Sequence, residues 1–336
     1  MWELRNRTPF VAEWTAVLDK DGARSFVVVV KGTFAIDPDG TTKLADEQLP
    51  IDVAPEYHDD PEDSSLRCEG ELTAMKPGTD IVVHGSAIPA EGKPVTRMTV
   101  VLQSPAGRKS LQVFGDRRWS RSVAGTIELE HPVPFVEMPI VYERAEGGFD
   151  KKDPDPAAHR LEPHNPVGTG FFTSDSHKVG ELAPNIVWLE RNQPGPAGLG
   201  PTCPHWKPRC DFQGTYDAQW VESRRPLLPE DYDARFLMSA PADQQCQPHL
   251  RGGEPLAVSG MHADGVVRCT VPKHYLAFST HIGPRVREHR AKLVTVGLFP
   301  NDRLLSLTWQ TELACHHEFD DIDHTVIREL PYLDQG

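Results

Sequence analysis

Alternating apolar and polar residues mark strands at both ends of the chain. Residues 10–18 (FVAEWTAVL) read as a strand, Asp19-Lys-Asp-Gly22 as a turn, and residues 24–36 (RSFVVVVKGTFAI) as the returning strand. β-Branched and aromatic side chains suit a pleated surface, and the unbroken run Val27 to Val30 predicts burial on both faces. Asp37-Pro-Asp-Gly40 is turn chemistry, and residues 61–72 predict a short helix with Asp63 or Ser64 near its cap. Residues 81–88 form another apolar run. Residues 95–102 and 109–114 predict a second hairpin. Thr96, Met98, Val100 and Leu102 share one face of its first strand; Leu111 and Val113 share a face of its second. Residues 120–143 are expected to hold at least one further strand.

From Glu143 to about Leu256 the periodicity is lost. A helix over 229–239, with proline at its start and acids in its first turn, is the one regular element expected there. Strand patterns return at 256–258, 266–271, 291–299 and 303–309, the last two flanking the turn Pro300-Asn-Asp302. The expected fold is mainly β, an antiparallel sandwich or open barrel with few short helices. Residues 1–336 are expected to form a single domain, in which β-rich 1–142 and 256–312 enclose an irregular 143–255. So long an irregular stretch is unusual in a compact domain unless it serves a function.

Composition narrows the partners. The chain has 336 residues, enough for a substantial core. Its 31 prolines and 26 glycines favour a turn-rich β fold over a helical one. A net charge of -14 disfavours nucleic acid and anionic membrane as partners and favours a basic protein. Cys68, Cys203, Cys210, Cys246, Cys269 and Cys315 form no CxxC pair. The chain opens without a basic-then-apolar leader, and no apolar run approaches the length of a membrane span. A cytoplasmic protein with reduced thiols is expected.

Catalytic patterns are weak. Cys315, His316, His317 and His324, with Cys269, are zinc-ligand types, but their spacing matches no closed motif, and no metal or cofactor is expected. Glu143, Asp231, Asp233 and Glu254 are available as acids or bases, yet carboxylates beside arginines usually form structural ion pairs. There is no Gly-x-Ser-x-Gly elbow and no phosphate-binding loop. No catalytic residue is assigned. What remains are aromatic and arginine clusters of the kind that dominate protein contacts or hold loops in place. They are Tyr142-Glu143-Arg144, Trp206, and above all residues 214–245, which carry Tyr216, Trp220, Arg224, Arg225, Asp231, Asp233, Arg235 and Phe236. The charged residues of that stretch are expected to pair internally. Trp220 and Phe236 are expected to anchor it to the sheet.

These clusters also carry a family resemblance. The relevant motifs are Lys76-Pro-Gly-Thr-Asp80 running on to His84-Gly85, Val113-Phe-Gly-Asp-Arg-Arg-Trp119, residues 138–148, Asn165-Pro-Val-Gly168, Leu182-Ala-Pro-Asn185, Trp206, Pro208-Arg209, residues 214–245 and Leu250-Arg-Gly-Gly-Glu254. Together they resemble a domain family encoded beside type VI secretion effectors in Gram-negative bacteria. The resemblance spans nearly the whole chain. Glu146 stands where the family tends to an aromatic, and the tail after Cys315 is not covered. The resemblance implies a non-enzymatic adaptor or chaperone that binds a type VI effector protein, through or near its spike-tip domain, for loading onto the spike. Exposed strand edges could receive the client by strand addition. Two alternatives belong to other classes: a hydrolase or modifying enzyme with Glu143, Asp231 or His84 in its site, and an immunity-like toxin inhibitor.

Overall fold

The computed structural model describes residues 3–190, 196–315 and 319–331. The fold is mainly β, built from layered sheets with no closed barrel among the described residues. The largest sheet runs Gln245–Cys246, Thr79–Val83, Lys292–Phe299, Leu304–Ala314, Arg24–Ile36, Val11–Leu18, with Thr42–Leu44 also paired to Arg24–Ile36. Thr79–Val83 lies parallel to Lys292–Phe299; the other neighbours are antiparallel. A second, antiparallel sheet runs Ile186–Trp188, Gly107–Phe114, Arg97–Ser104, Pro255–Ser259, Val266–Thr270. A third runs Glu3–Asn6, Ile322–Leu330, Tyr275–Ile282, Arg285–Arg290.

The core follows from the pleat. Val28, Val30, Leu305 and Leu307 of the large sheet pack with Val100, Leu102, Leu111 and Val113 of the second and with Leu276 and Phe278 of the third. Val27 and Val29 point to the opposite face, where Ile51 covers them. All four valines are fully buried, because that outer face is roofed by the chain between the strands rather than left to water. The hairpin about Asp19–Gly22 and the turn at Pro300–Asp302 form as the pattern predicts, the latter closed by Arg303 in the left-handed region (φ 52°).

The irregular middle is woven into the sheets: it supplies Ile186–Trp188 to one and Gln245–Cys246 to another. Two expected helices are corrected. Residues 61–72 form turns and the short strand Leu66–Cys68, because Leu66 is buried and the Glu143 carboxylate holds Ser65 by its backbone N–H and hydroxyl. Over 229–239 only the 3-10 turn Ala234–Leu237 forms, capped by Asp233. The α-helix of this stretch lies earlier, at Ala218–Ser223, where the Asp217 side chain accepts from Trp220 N. Among the described residues no helix is long and apolar enough to cross a membrane.

Candidate functional site

Residues 214–245 bridge the surface hairpin at one end of the large sheet and the strand Thr79–Val83 near its other end. At the outer end, Arg224 donates to Lys20 O (2.6 Å), Asp21 Oδ1 (2.7 Å) and Leu228 O (2.8 Å). Trp220 stacks edge-on against Tyr216 at 4.7 Å and donates its indole N–H to Leu227 O. At the inner end, Ser239 N donates to Asp80 Oδ2 (2.9 Å), and Gln244 Nε2 donates to Ile81 O and Leu199 O. The expected internal ion pairing is corrected. Asp233 and Arg235 do pair, with Arg235 also lying over Phe212. Arg224 reaches outside the stretch, Asp231 binds Thr215 instead of an arginine, and Arg225 is exposed with no side-chain partner among the described residues. Trp220 does not reach the sheet, since its contacts lie within the stretch. Phe236 packs beside Tyr232, under the Arg209 guanidinium. The sheet anchors are Ser239 and Gln244, polar residues that carry no periodic signal.

Tyr142 and Trp206 are buried neighbours at 5.3 Å, with Leu66 and Cys203 in the same satellite cluster, and the Tyr142 hydroxyl donates to Gly200 O. Arg144 reaches Asn185 Oδ1 and Asp116 Oδ1. These three positions brace the middle region from within.

The edge strand Val11–Leu18 is the exposed flank of this assembly. It ends the large sheet, and no strand pairs with its outer side among the described residues. Its backbone parity can be derived. Asp19 N donates to Ala23 O (2.9 Å), while Arg24 O turns the other way to accept from Cys315 N (3.0 Å). Bonded and non-bonded pairs alternate along an antiparallel ladder. Val11, Glu13, Thr15 and Val17 therefore direct their backbone groups at Arg24–Ile36. Ala12, Ala16 and Leu18 direct theirs outward. Glu13 is the single charge in this strand, and the side chains of Trp14 and Leu18 are exposed.

A buried polar chamber lies on the outer face of the same sheet. Lys31 Nζ sits 2.9 Å from Asp52 Oδ2 and 2.8 Å from Glu71 Oε2, and Glu71 also accepts from Thr308 Oγ1. Lys76 Nζ lies 2.7 Å from Asp80 Oδ2. Burial pulls the Lys31 ammonium down, but Glu71 and Asp52 together outweigh burial and hold it above the ordinary lysine value. A cavity of about 50 Å³ between these groups adjoins a cleft of about 340 Å³, and the two share Cys68, His84, Pro201 and Phe299. Burial pushes the Cys68 thiol up to about 11 and the His84 imidazole down to about 4, so His84 is neutral; its ring stacks on Phe299 at 4.9 Å. Sequence reasoning missed the chamber. Its visible traces were Lys31, which interrupts the apolar run after Val30, and the pairing of Lys76 with Asp80 inside one motif.

The other candidates do not converge. Glu143 is spent on Ser65 and Asp231 on Thr215, so only His84 of the three proposed acids and bases lines the cleft. Among the described residues no three His, Cys, Asp or Glu side chains are placed to hold a metal. Cys315 and Cys269 are buried, His324 stacks on His281 at 4.1 Å and binds Asp323, and His316 and His317 lie outside the described residues. A family model described as an uncharacterized protein conserved in bacteria, DUF2169, matches residues 21–310. No curated protein and no solved structure matches the chain.

Proposed function

The chain belongs to DUF2169, a family of uncharacterized proteins conserved in bacteria, and on that footing we propose that it is a non-enzymatic adaptor that binds a type VI secretion effector and aids its loading onto the spike. One observation carries this reading: the outward-facing edge of Val11–Leu18, whose far end is fastened by Arg224 to a rigid stretch rooted at Asp80. An edge with one charge and exposed apolar side chains is a template for an added strand, and main-chain bonds to it supply affinity without turnover. The motif resemblance supplies the class of client. The acidic surface suits a client with basic surroundings.

Deleting the gene tests the reading in the cell. Delivery of one cognate effector should stop while the secretion machine keeps working; loss of all effectors, or of none, overturns it. In a pull-down, Ala16→Pro removes an outward N–H but no ladder bond, and should lose the effector at unchanged melting temperature.

One observation favours a second reading, an enzyme acting on a secreted partner: the neutral His84 imidazole faces a cleft backed by buried charge. It predicts a mass change in the co-expressed effector that His84→Ala abolishes.

A further inference from the structure

We propose that the cleft beside the buried chamber is a socket for an arginine side chain carried by the client protein. The cleft holds about 340 Å³, the small end of the about 300–1,000 Å³ typical of small-ligand sites. That is room for one long side chain. Its lining divides by chemistry. Leu66, Ile140 and Val141 supply apolar surface for an alkyl stem. The Asp302 carboxylate and the His84 ring, stacked on Phe299, supply polar surface for a charged head. The turn that carries Asp302 is pinned on both sides. Asn301 accepts from Ser86 N (2.7 Å) and donates to Ser86 O and Met261 O, and Arg303 donates to Asp264 Oδ2 (2.9 Å). The Asp302 carboxylate between them has no side-chain partner among the described residues.

Charge decides the sign of the ligand. Arg67 also lines the cleft, but it stands 3.9 Å from Glu56 Oε2. In the chamber behind, Lys31 is outnumbered by Asp52 and Glu71. Glu143, which holds Ser65 at the cleft wall, has no cation partner among the described residues. Carboxylates thus exceed cations around the cleft, so a cation gains there and an anion loses. Desolvation lowers the imidazoles of His84 and, at the rim, His58, so neither cancels this charge near neutral pH. A neutral imidazole keeps a lone pair, and at His84 no described residue takes it. A guanidinium meets all of this: it is cationic, rich in donors, and lies flat on rings such as His84 and Phe299. That the guanidinium is carried by a protein rests on the adaptor reading.

The test is a calorimetric titration of the purified full chain with N-acetylarginine amide. Binding should saturate at one site, and N-acetylcitrulline amide, similar in shape but uncharged, should not bind. Asp302→Asn should weaken binding about tenfold, the loss of one charge-assisted contact. Arg67→Ala removes a like charge and should bind the probe at least as tightly as the wild type. Both residues are exposed, so both variants should melt at the wild-type temperature. No binding of the capped arginine, equal binding of the capped citrulline, or weaker binding by Arg67→Ala overturns the socket. Agmatine binding more tightly than the capped arginine overturns the protein-borne source. In a pull-down, Asp302→Asn should retain less effector. Full retention removes the client from the cleft and leaves the adaptor reading standing. Saturable probe binding by a wild-type chain that retains no effector does the reverse.

Discussion

Arg224 and Asp21 are joined at 2.7 Å across 203 positions of sequence, and this contact fastens the irregular middle of the chain to the tip of its edge hairpin. The guanidinium is mostly buried, and it also donates to the Lys20 and Leu228 carbonyls. Arg224→Ala should lower stability by about 1–2 kcal/mol through the lost carbonyl contacts. It should also speed hydrogen exchange in Val11–Leu18. Arg225→Ala, next in sequence but without a side-chain partner among the described residues, should leave both unchanged. Equal effects of the two variants would remove Arg224 as the fastener.

Trp206 has no exposed surface and fills a small cluster with Tyr142, Leu66 and Cys203. Trp206→Ala should cost about 3–5 kcal/mol in urea unfolding, the range for emptying a large aromatic site. A loss below about 1 kcal/mol would mean that the middle region is braced elsewhere.

Lys76 and Asp80 form a pair with almost no solvent access, and Asp80 also holds Ser239. Removing one partner strands the other charge. Asp80→Asn or Lys76→Met should each cost about 3–5 kcal/mol, while Lys76→Met combined with Asp80→Leu should cost less than the sum. Strict additivity in denaturation would show that the two charges act separately.

Stability should fall in mild acid. His289 bridges Thr280 and Thr311 and stacks on Phe278, and burial lowers its imidazole to about 4. In the unfolded chain the ring takes its proton near 6.5. Between those values the unfolded state binds more protons, so folding weakens as pH drops. The full effect is about 3 kcal/mol by pH 4. His289→Gln should flatten the melting temperature against pH over that window; an unchanged slope would assign the acid sensitivity to other groups.

Local pattern determined the hairpin strands of the first two sheets, but it marked none of the third sheet, Glu3–Asn6, Tyr275–Ile282, Arg285–Arg290 and Ile322–Leu330. Alternation placed both hairpins, four valines announced burial on two faces, and proline with glycine marked the turns, because period and turn chemistry are properties of neighbouring residues. Local pattern also singled out residues 214–245, but it misassigned their partners. Only the tertiary structure decided that Arg224 reaches Asp21, that Ser239 roots the stretch at Asp80, and that Lys31 and Lys76 stand in a buried chamber. Only the strand pairing decided which backbone groups of Val11–Leu18 face outward. Ion pairs and ladder parity depend on which distant segments meet, and a charge has no period that reveals its mate.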